Sequence, residues 1–131
     1  MIAGVVNGRR EATLALTLRG PTGATATVVT VIDTGYSGFL TVSGDVVRQL
    51  GLAVKSASRA RLADGKECLF DMYEAEIDWD GHPRTIKVSA IGDEALAGMK
   101  LLAGCRLTID IEVGGVVEIV PLSNQSQPPP P

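Results

Sequence analysis

Residues Ala12–Arg19 alternate along the chain (Ala-Thr-Leu-Ala-Leu-Thr-Leu-Arg), the period-two pattern of a strand with two differently solvated faces. Pro21 and Gly23 supply a turn, and the apolar run 26–32 then reads as a buried strand ending at Asp33. Ser43 is placed to cap a short helix that reaches Leu50, with Gly51 as its stop. Two arms, 59–62 and 67–77, flank Asp64-Gly65, a strong hairpin dipeptide. Asp80-Gly81 repeats that signal ahead of a strand over 84–91. A second short helix is expected over 99–103, closed by Gly104, and is followed by a strand over 106–111. Gly114-Gly115 turns the chain into a last strand over 116–120. The pattern predicts an all-β fold with one or two short helices, forming one domain over residues 1–122 without linker or repeat. Residues 123–131, polar and then all proline, are expected to be a disordered tail.

Composition narrows the function. A chain of 131 residues that is 45% hydrophobic can bury one respectable core but not two. Twelve basic against fifteen acidic residues give a net charge of -3, so no basic field is present to hold a nucleic acid or an anionic membrane. No apolar stretch approaches the roughly 20 residues that span a bilayer. Residues 1–6 lack the basic start and the length of a signal peptide, so a cytoplasmic location is expected. Two cysteines, Cys68 and Cys105, are too few for a disulfide scaffold and are read as buried small hydrophobes. The lone histidine, His82, lies in a turn and is read as exposed and incidental. It excludes any mechanism or metal site needing two histidines from one chain, and no cofactor or metal is implied. Trp79 is expected to anchor the Asp80-Gly81 hairpin, and Arg59, Arg61 and Lys66 to form a solvated strand face. Asn124-Gln125-Ser126 matches a glycosylation sequon, which has meaning only in a secreted chain.

The informative segment is Val28-Val29-Thr30-Val31-Ile32-Asp33-Thr34-Gly35-Tyr36-Ser37-Gly38-Phe39-Leu40. An apolar strand delivers a carboxylate into a turn holding two glycines and two hydroxyls. Such a carboxylate is costly to bury unless nearby donors solvate it, and the amides and hydroxyls around Thr34 and Gly35 are close in sequence. Glycine at position 35 permits close backbone approach and a positive φ. An ordinary surface turn has the same composition, but the flanking apolar runs on both sides favour a site.

The run from Val31 to Gly35, followed by Gly38-Phe39-Leu40, resembles the active-site loop of retropepsin-like aspartic proteases. Leu62-Ala63-Asp64-Gly65-Lys66, about thirty residues on, lies where that family carries the tip of its flap. Leu96-Ala97-Gly98-Met99-Lys100-Leu101-Leu102 resembles the family's hydrophobic-Gly segment leading into a helix. The resemblance covers residues 1–122 and is closest to the small bacterial single-domain members. It implies a closed, orthogonal β-barrel with a flap hairpin, and an aspartic endopeptidase with Asp33 as catalytic acid and Thr34 and Gly35 completing the loop. Ala63, Asp64 and Gly65 would cover the substrate, while Tyr36, Met99 and Leu101 are candidate subsite walls. The chain departs from the family at Tyr36, where many members carry Ala or Ser, so a hydrogen bond to the catalytic carboxylate would have to come from Ser37 or be missing. The flap also lacks the glycine-rich tip of viral members, which implies a shorter or stiffer flap.

That chemistry uses two carboxylates sharing one proton, one acting as base on a water and the other donating to the scissile carbonyl. Residues 1–131 contain no second Asp-Thr/Ser-Gly, so one copy carries half a site. A two-fold homodimer would bring both Asp33 side chains to its axis, interlock the loops through Thr34, and take a peptide or protein as substrate. Two other readings compete. Ile32-Asp33-x-x-Tyr36-x-Gly38 is similar to a dUTPase motif, although Gly8-Arg9-Arg10 is a poor version of that family's first motif and its others are not found. A non-catalytic domain that keeps the fold for oligomerisation or peptide binding is the third, and the intact Asp33-Thr34-Gly35 argues against it.

Overall fold

The computed structural model describes residues 1–61 and 63–122. Leu62, the expected disordered tail over 123–131 and the sequon at Asn124 lie outside the described residues. The described chain forms β1 (Ile2–Val6), β2 (Ala12–Arg19), β3 (Thr25–Ile32), β4 (Leu40–Thr41), α1 (Gly44–Leu50), β5 (Val54–Arg61), β6 (Glu67–Trp79), β7 (His82–Ser89), β8 (Leu96–Ala97), α2 (Met99–Leu102), β9 (Cys105–Ile109) and β10 (Val116–Pro121). All strands belong to one sheet, in the order β5-β6-β7-β4-β8-β3-β2-β1-β10-β9. A further pairing of β2 with β6, through Leu18–Ile77 and Arg19–Glu76, bends part of that sheet into a closed ring. The ring has six members, β2-β3-β8-β4-β7-β6, and Arg19 Nη1 ties its seam to Glu76 Oε1 at 2.6 Å.

The alternation read in β2 fixes what fills the ring. Leu14, Leu16 and Leu18 all point inward and are buried, meeting Leu40, Ile77, Ile86, Val88, Ala97 and Leu101. Each such side chain contributes about 1.5–3 kcal/mol of hydrophobic stabilisation over an exposed one. α1 packs on this core through buried Val47 and Leu50. Its cap is the one expected: the Val46 amide donates to Ser43 Oγ at 3.4 Å, and Gly51 ends the helix in the left-handed region at φ 65°. The Asp80-Gly81 turn joins paired Trp79 and His82 with positive φ at both residues, the geometry of a type I′ hairpin. His82 is exposed, and Trp79 packs against the core with Arg84 over its ring at 5.6 Å.

Several expectations need correction. Run 26–32 is not a buried strand: only Thr30 is fully buried, and Val29 is 64% exposed, because Thr25, Thr27 and Val29 alternate onto an exposed outer face of β3. Apolar residues on both faces, Val28 and Ile32 on one and Val29 and Val31 on the other, concealed an inside and an outside. The first arm of the flap-like hairpin begins at Val54 rather than residue 59, since the polar face of Val-Lys-Ser-Ala-Ser-Arg masks its strand character. Cys68 and Cys105 are free and half-buried rather than buried. The two-residue strands β4 and β8, and β1 at the start of the chain, were not anticipated. Among the described residues, no helix is long and apolar enough to cross a membrane.

Candidate active site

β3 and β8 run parallel, with Val31 opposite Leu96 and Ile32 opposite Ala97. The next amide continues the ladder: Asp33 N–H donates to the Ala97 carbonyl at 2.9 Å. Asp33 is therefore the first residue of a loop whose root is fixed by a strand pair inside the barrel. The loop then turns, the Tyr36 amide donating to the Asp33 carbonyl at 3.1 Å. Gly35 N–H donates to Asp33 Oδ1 at 2.9 Å, which is the solvation by a nearby amide that the sequence called for. Gly35 does so without a positive φ, contrary to one of the two roles foreseen for it. Its other role, close approach, holds: a Cβ there would stand 3.2 Å from Asp33 Oδ1.

α2 clamps the far side of the loop. The Met99 amide donates to the Tyr36 carbonyl at 2.8 Å and the Lys100 amide to the Gly38 carbonyl at 3.1 Å. The Gly98 amide donates to the Phe39 carbonyl at 3.0 Å. These are amides that a helix start leaves without intrahelical partners, here used to hold a neighbouring loop. Gly98 is needed for this contact, because a Cβ would fall 2.6 Å from Tyr36 Cδ2 and against the Gly38 carbonyl oxygen. On the strand side, Thr41 Oγ1 donates to the Glu94 carbonyl at 3.1 Å and accepts from the Leu96 amide at 3.0 Å. That side chain joins β4 to β8 where each strand is only two residues long.

The result is a loop that is rigid at its root and open at its tip. Asp33 is half-buried, while Thr34 and Gly35 are exposed. Tyr36 through Phe39 form one wall of a cleft of about 700 Å³. Its opposite wall is the β5–β6 hairpin, through Ser56–Ala60, Phe70 and Met72, and its floor includes Thr41, Ser89 and Leu96. Tyr36 is on the wall formed by the loop, whereas Met99 is 49% exposed and lines no part of this cleft, its amide being the group that meets the loop. Leu101 is fully buried in the core. Ala63, Asp64 and Gly65 are exposed at the hairpin tip and do not reach the cleft in this single copy. Gly65 has φ 85° and the Lys66 amide donates to Asp64 Oδ1 at 3.0 Å, so the described tip forms a tight turn. Among the described residues, Ser37 makes no hydrogen bond to Asp33, and its place is on the cleft wall.

Sequence reasoning missed the cleft residues Phe70, Met72, Lys87, Ser89 and Ile91. The alternation of Phe70 and Met72 with exposed Leu69 and Asp71 was a usable sign of a face turned towards something other than the core. A second hollow of about 460 Å³ lies between Arg19–Gly23 and Glu74–Glu76, and no residue of the Asp33 loop reaches it. Among the described residues, no group of three or more His, Cys, Asp or Glu side chains is placed to hold a metal ion.

No family model matches the chain, and no curated protein matches it. Among solved structures, the chain is similar to a retropepsin-like aspartic protease from Rickettsia conorii. The two are 14% identical over 93% of this chain and 92% of that one, with a TM-score of 0.52. At such identity the likeness is one of fold. The fold is all-β and retropepsin-like, with a hairpin over the cleft and two short helices, as the motifs implied.

Proposed function

We propose that this chain is one half of an aspartic endopeptidase, completed by a second copy related by two-fold symmetry. The observation that carries the reading is the position of Asp33. It is the single Asp-Thr-Gly of residues 1–131, at the end of a barrel strand, held by Gly35 N–H and the Ala97 carbonyl, on a loop left exposed at Thr34 and Gly35. A loop braced this firmly at its root yet uncovered at its tip suits a surface that a partner completes. The retropepsin-like fold adds weight, since proteases of that kind usually work as homodimers.

In the dimer the two Asp33 side chains face each other across the axis and share a proton, because two such neighbouring carboxylates do not both ionise. The ionised one takes a proton from water as that water attacks the peptide carbonyl, and the protonated one donates to the carbonyl oxygen. Collapse of the tetrahedral intermediate passes a proton to the leaving amine. Gly35 N–H keeps Asp33 Oδ1 in orientation throughout. Ala63, Asp64 and Gly65 close over a bound peptide, and Tyr36 walls the subsite nearest the loop. Neither cofactor nor metal is required by this route.

The retropepsin-like fold favours this reading over the diphosphohydrolase one, whose further motifs are lacking in residues 1–131. The test is hydrolysis of an internally quenched peptide library between pH 3 and 7, with pepstatin and with Asp33→Asn. Cleavage abolished by the substitution supports the reading. Magnesium-dependent turnover of dUTP, or no cleavage of any peptide, overturns it.

A further inference from the structure

The cleft has a one-sided charge. Of the residues that line it, three carry charge, Arg59, Lys87 and Lys100, and all three are cations. Arg59 is partly neutralised by Glu67, whose Oε2 lies 3.8 Å from Nη1. Lys87 stands opposite Glu74 on the paired strand yet makes no ion pair with it. The ammonium of Lys100 lies 5.9 Å from the centre of the Phe39 ring, on the wall formed by the Asp33 loop, and has no carboxylate partner among the described residues. In a protein of net charge -3, a cleft with no acidic side chain among its described lining residues is a local reversal of the overall field.

The floor adds a second observation. Ser89 is 1% exposed, on the same strand face as Lys87 two residues before it, and lines the cleft. Its Oγ is the buried side-chain polar atom that finds no hydrogen-bond partner among the described residues. Buried hydroxyls are normally satisfied, so one left over at the floor of a binding cleft marks a place for a ligand acceptor. The remaining lining, Phe39, Phe70, Met72, Ile91 and Leu96, is apolar and suits the stem of a side chain.

We propose that this cleft selects an extended peptide carrying an acidic side chain, Asp or Glu, close to the bond that is cut, with Lys87 and Lys100 facing its carboxylate and Ser89 supplying an unused donor on the floor. The word "cut" rests on the peptidase reading; the binding preference does not. The Asp33 pair is itself anionic, so the acidic side chain lies against Lys87 and Lys100, which line the cleft, rather than against Asp33, which does not. The preference exists only where the substrate carboxylate is ionised, above about pH 4, and weakens as salt screens it.

The test uses the full chain and a set of peptides that differ only in bearing Glu, Gln or Lys at successive positions around one bond. They are measured at pH 5.5 in low salt, both as kcat/KM with the wild-type chain and as binding to Asp33→Asn by fluorescence anisotropy. Expected is a preference for Glu over Gln of roughly threefold to tenfold at one position, the scale of one or two partly exposed ion pairs. It should fall in 0.5 M salt and reverse towards Lys in Lys87→Glu, with Lys87→Gln as a neutral control whose circular dichroism reports folding. Cleavage with no Glu preference overturns the inference and leaves the peptidase reading standing. Glu-selective binding without cleavage supports the inference while the peptidase reading fails. Neither cleavage nor selective binding overturns both.

Discussion

The Met99 amide and the Tyr36 carbonyl are hydrogen-bonded at 2.8 Å, and this contact fastens the first turn of α2 to the loop that carries Asp33. The Tyr36 ring lies directly over the backbone of Gly98, so helix and loop are in register only while position 98 has no side chain. Gly98→Ala places a methyl 2.6 Å from Tyr36 Cδ2 and 2.8 Å from the Tyr36 carbonyl oxygen. Overpacking of this kind is expected to destabilise the chain by about 1–3 kcal/mol, read from urea denaturation. Because the displaced element is the loop itself, activity should fall further than stability does.

Thr41→Val is expected to lower stability by about 1–3 kcal/mol, since it keeps the volume but removes a hydroxyl that serves both the Glu94 carbonyl and the Leu96 amide. Hydrogen exchange at Leu96 should speed up selectively. A loss confined to global unfolding, with exchange at Leu96 unchanged, would argue against the bridge.

Ser43→Ala removes the α1 cap and should cost about 0.5–1 kcal/mol, at the low end of the usual range because the bond to the Val46 amide is long at 3.4 Å. Ser43 lines no part of the cleft, so peptide cleavage by the folded fraction should be unchanged. Thermal melts paired with activity at a temperature well below the transition check both halves.

Asp33→Asn should leave the melting transition within about 1 kcal/mol of the parent, because Asn Oδ1 can still accept from Gly35 N–H and the side chain is only half-buried. Cleavage should drop at least roughly a hundredfold, the lower bound for removing a positioned acid or base. A stable, fully active Asp33→Asn chain would remove Asp33 from the chemistry.

What the sequence revealed follows from which forces act locally. The Ser43 cap, the Gly51 stop and the Asp80-Gly81 turn depend on a few adjacent residues, and each formed where the pattern put it. The alternation of β2 is enforced by a core on one side, so Leu14, Leu16 and Leu18 were readable as inward. Run 26–32 was not readable in the same way, because Val29 and Val31 on its outer face are as apolar as Val28 and Ile32 on its inner one. β4 and β8 are stable only as inserts between β3 and β7, and two residues carry no periodicity to detect. At the candidate site, the turn that sets the Gly35 amide on the Asp33 carboxylate was legible, because it depends only on adjacent residues. The clamp from α2 was not, since it uses amides of Gly98, Met99 and Lys100 rather than side chains. Ser89 and Lys87 joined the site only once β6 and β7 had paired, a contact between distant parts of the chain.

The claim that two copies of Asp33 make one site is tested most directly by mixing subunits. Wild-type chain is combined with rising proportions of Asp33→Asn at constant total concentration, equilibrated, and assayed for peptide hydrolysis. If each site needs an intact Asp33 from both copies, mixed pairs are inactive and total activity follows the square of the wild-type fraction. Activity that falls only in direct proportion to that fraction would show that one chain suffices, and would contradict the account.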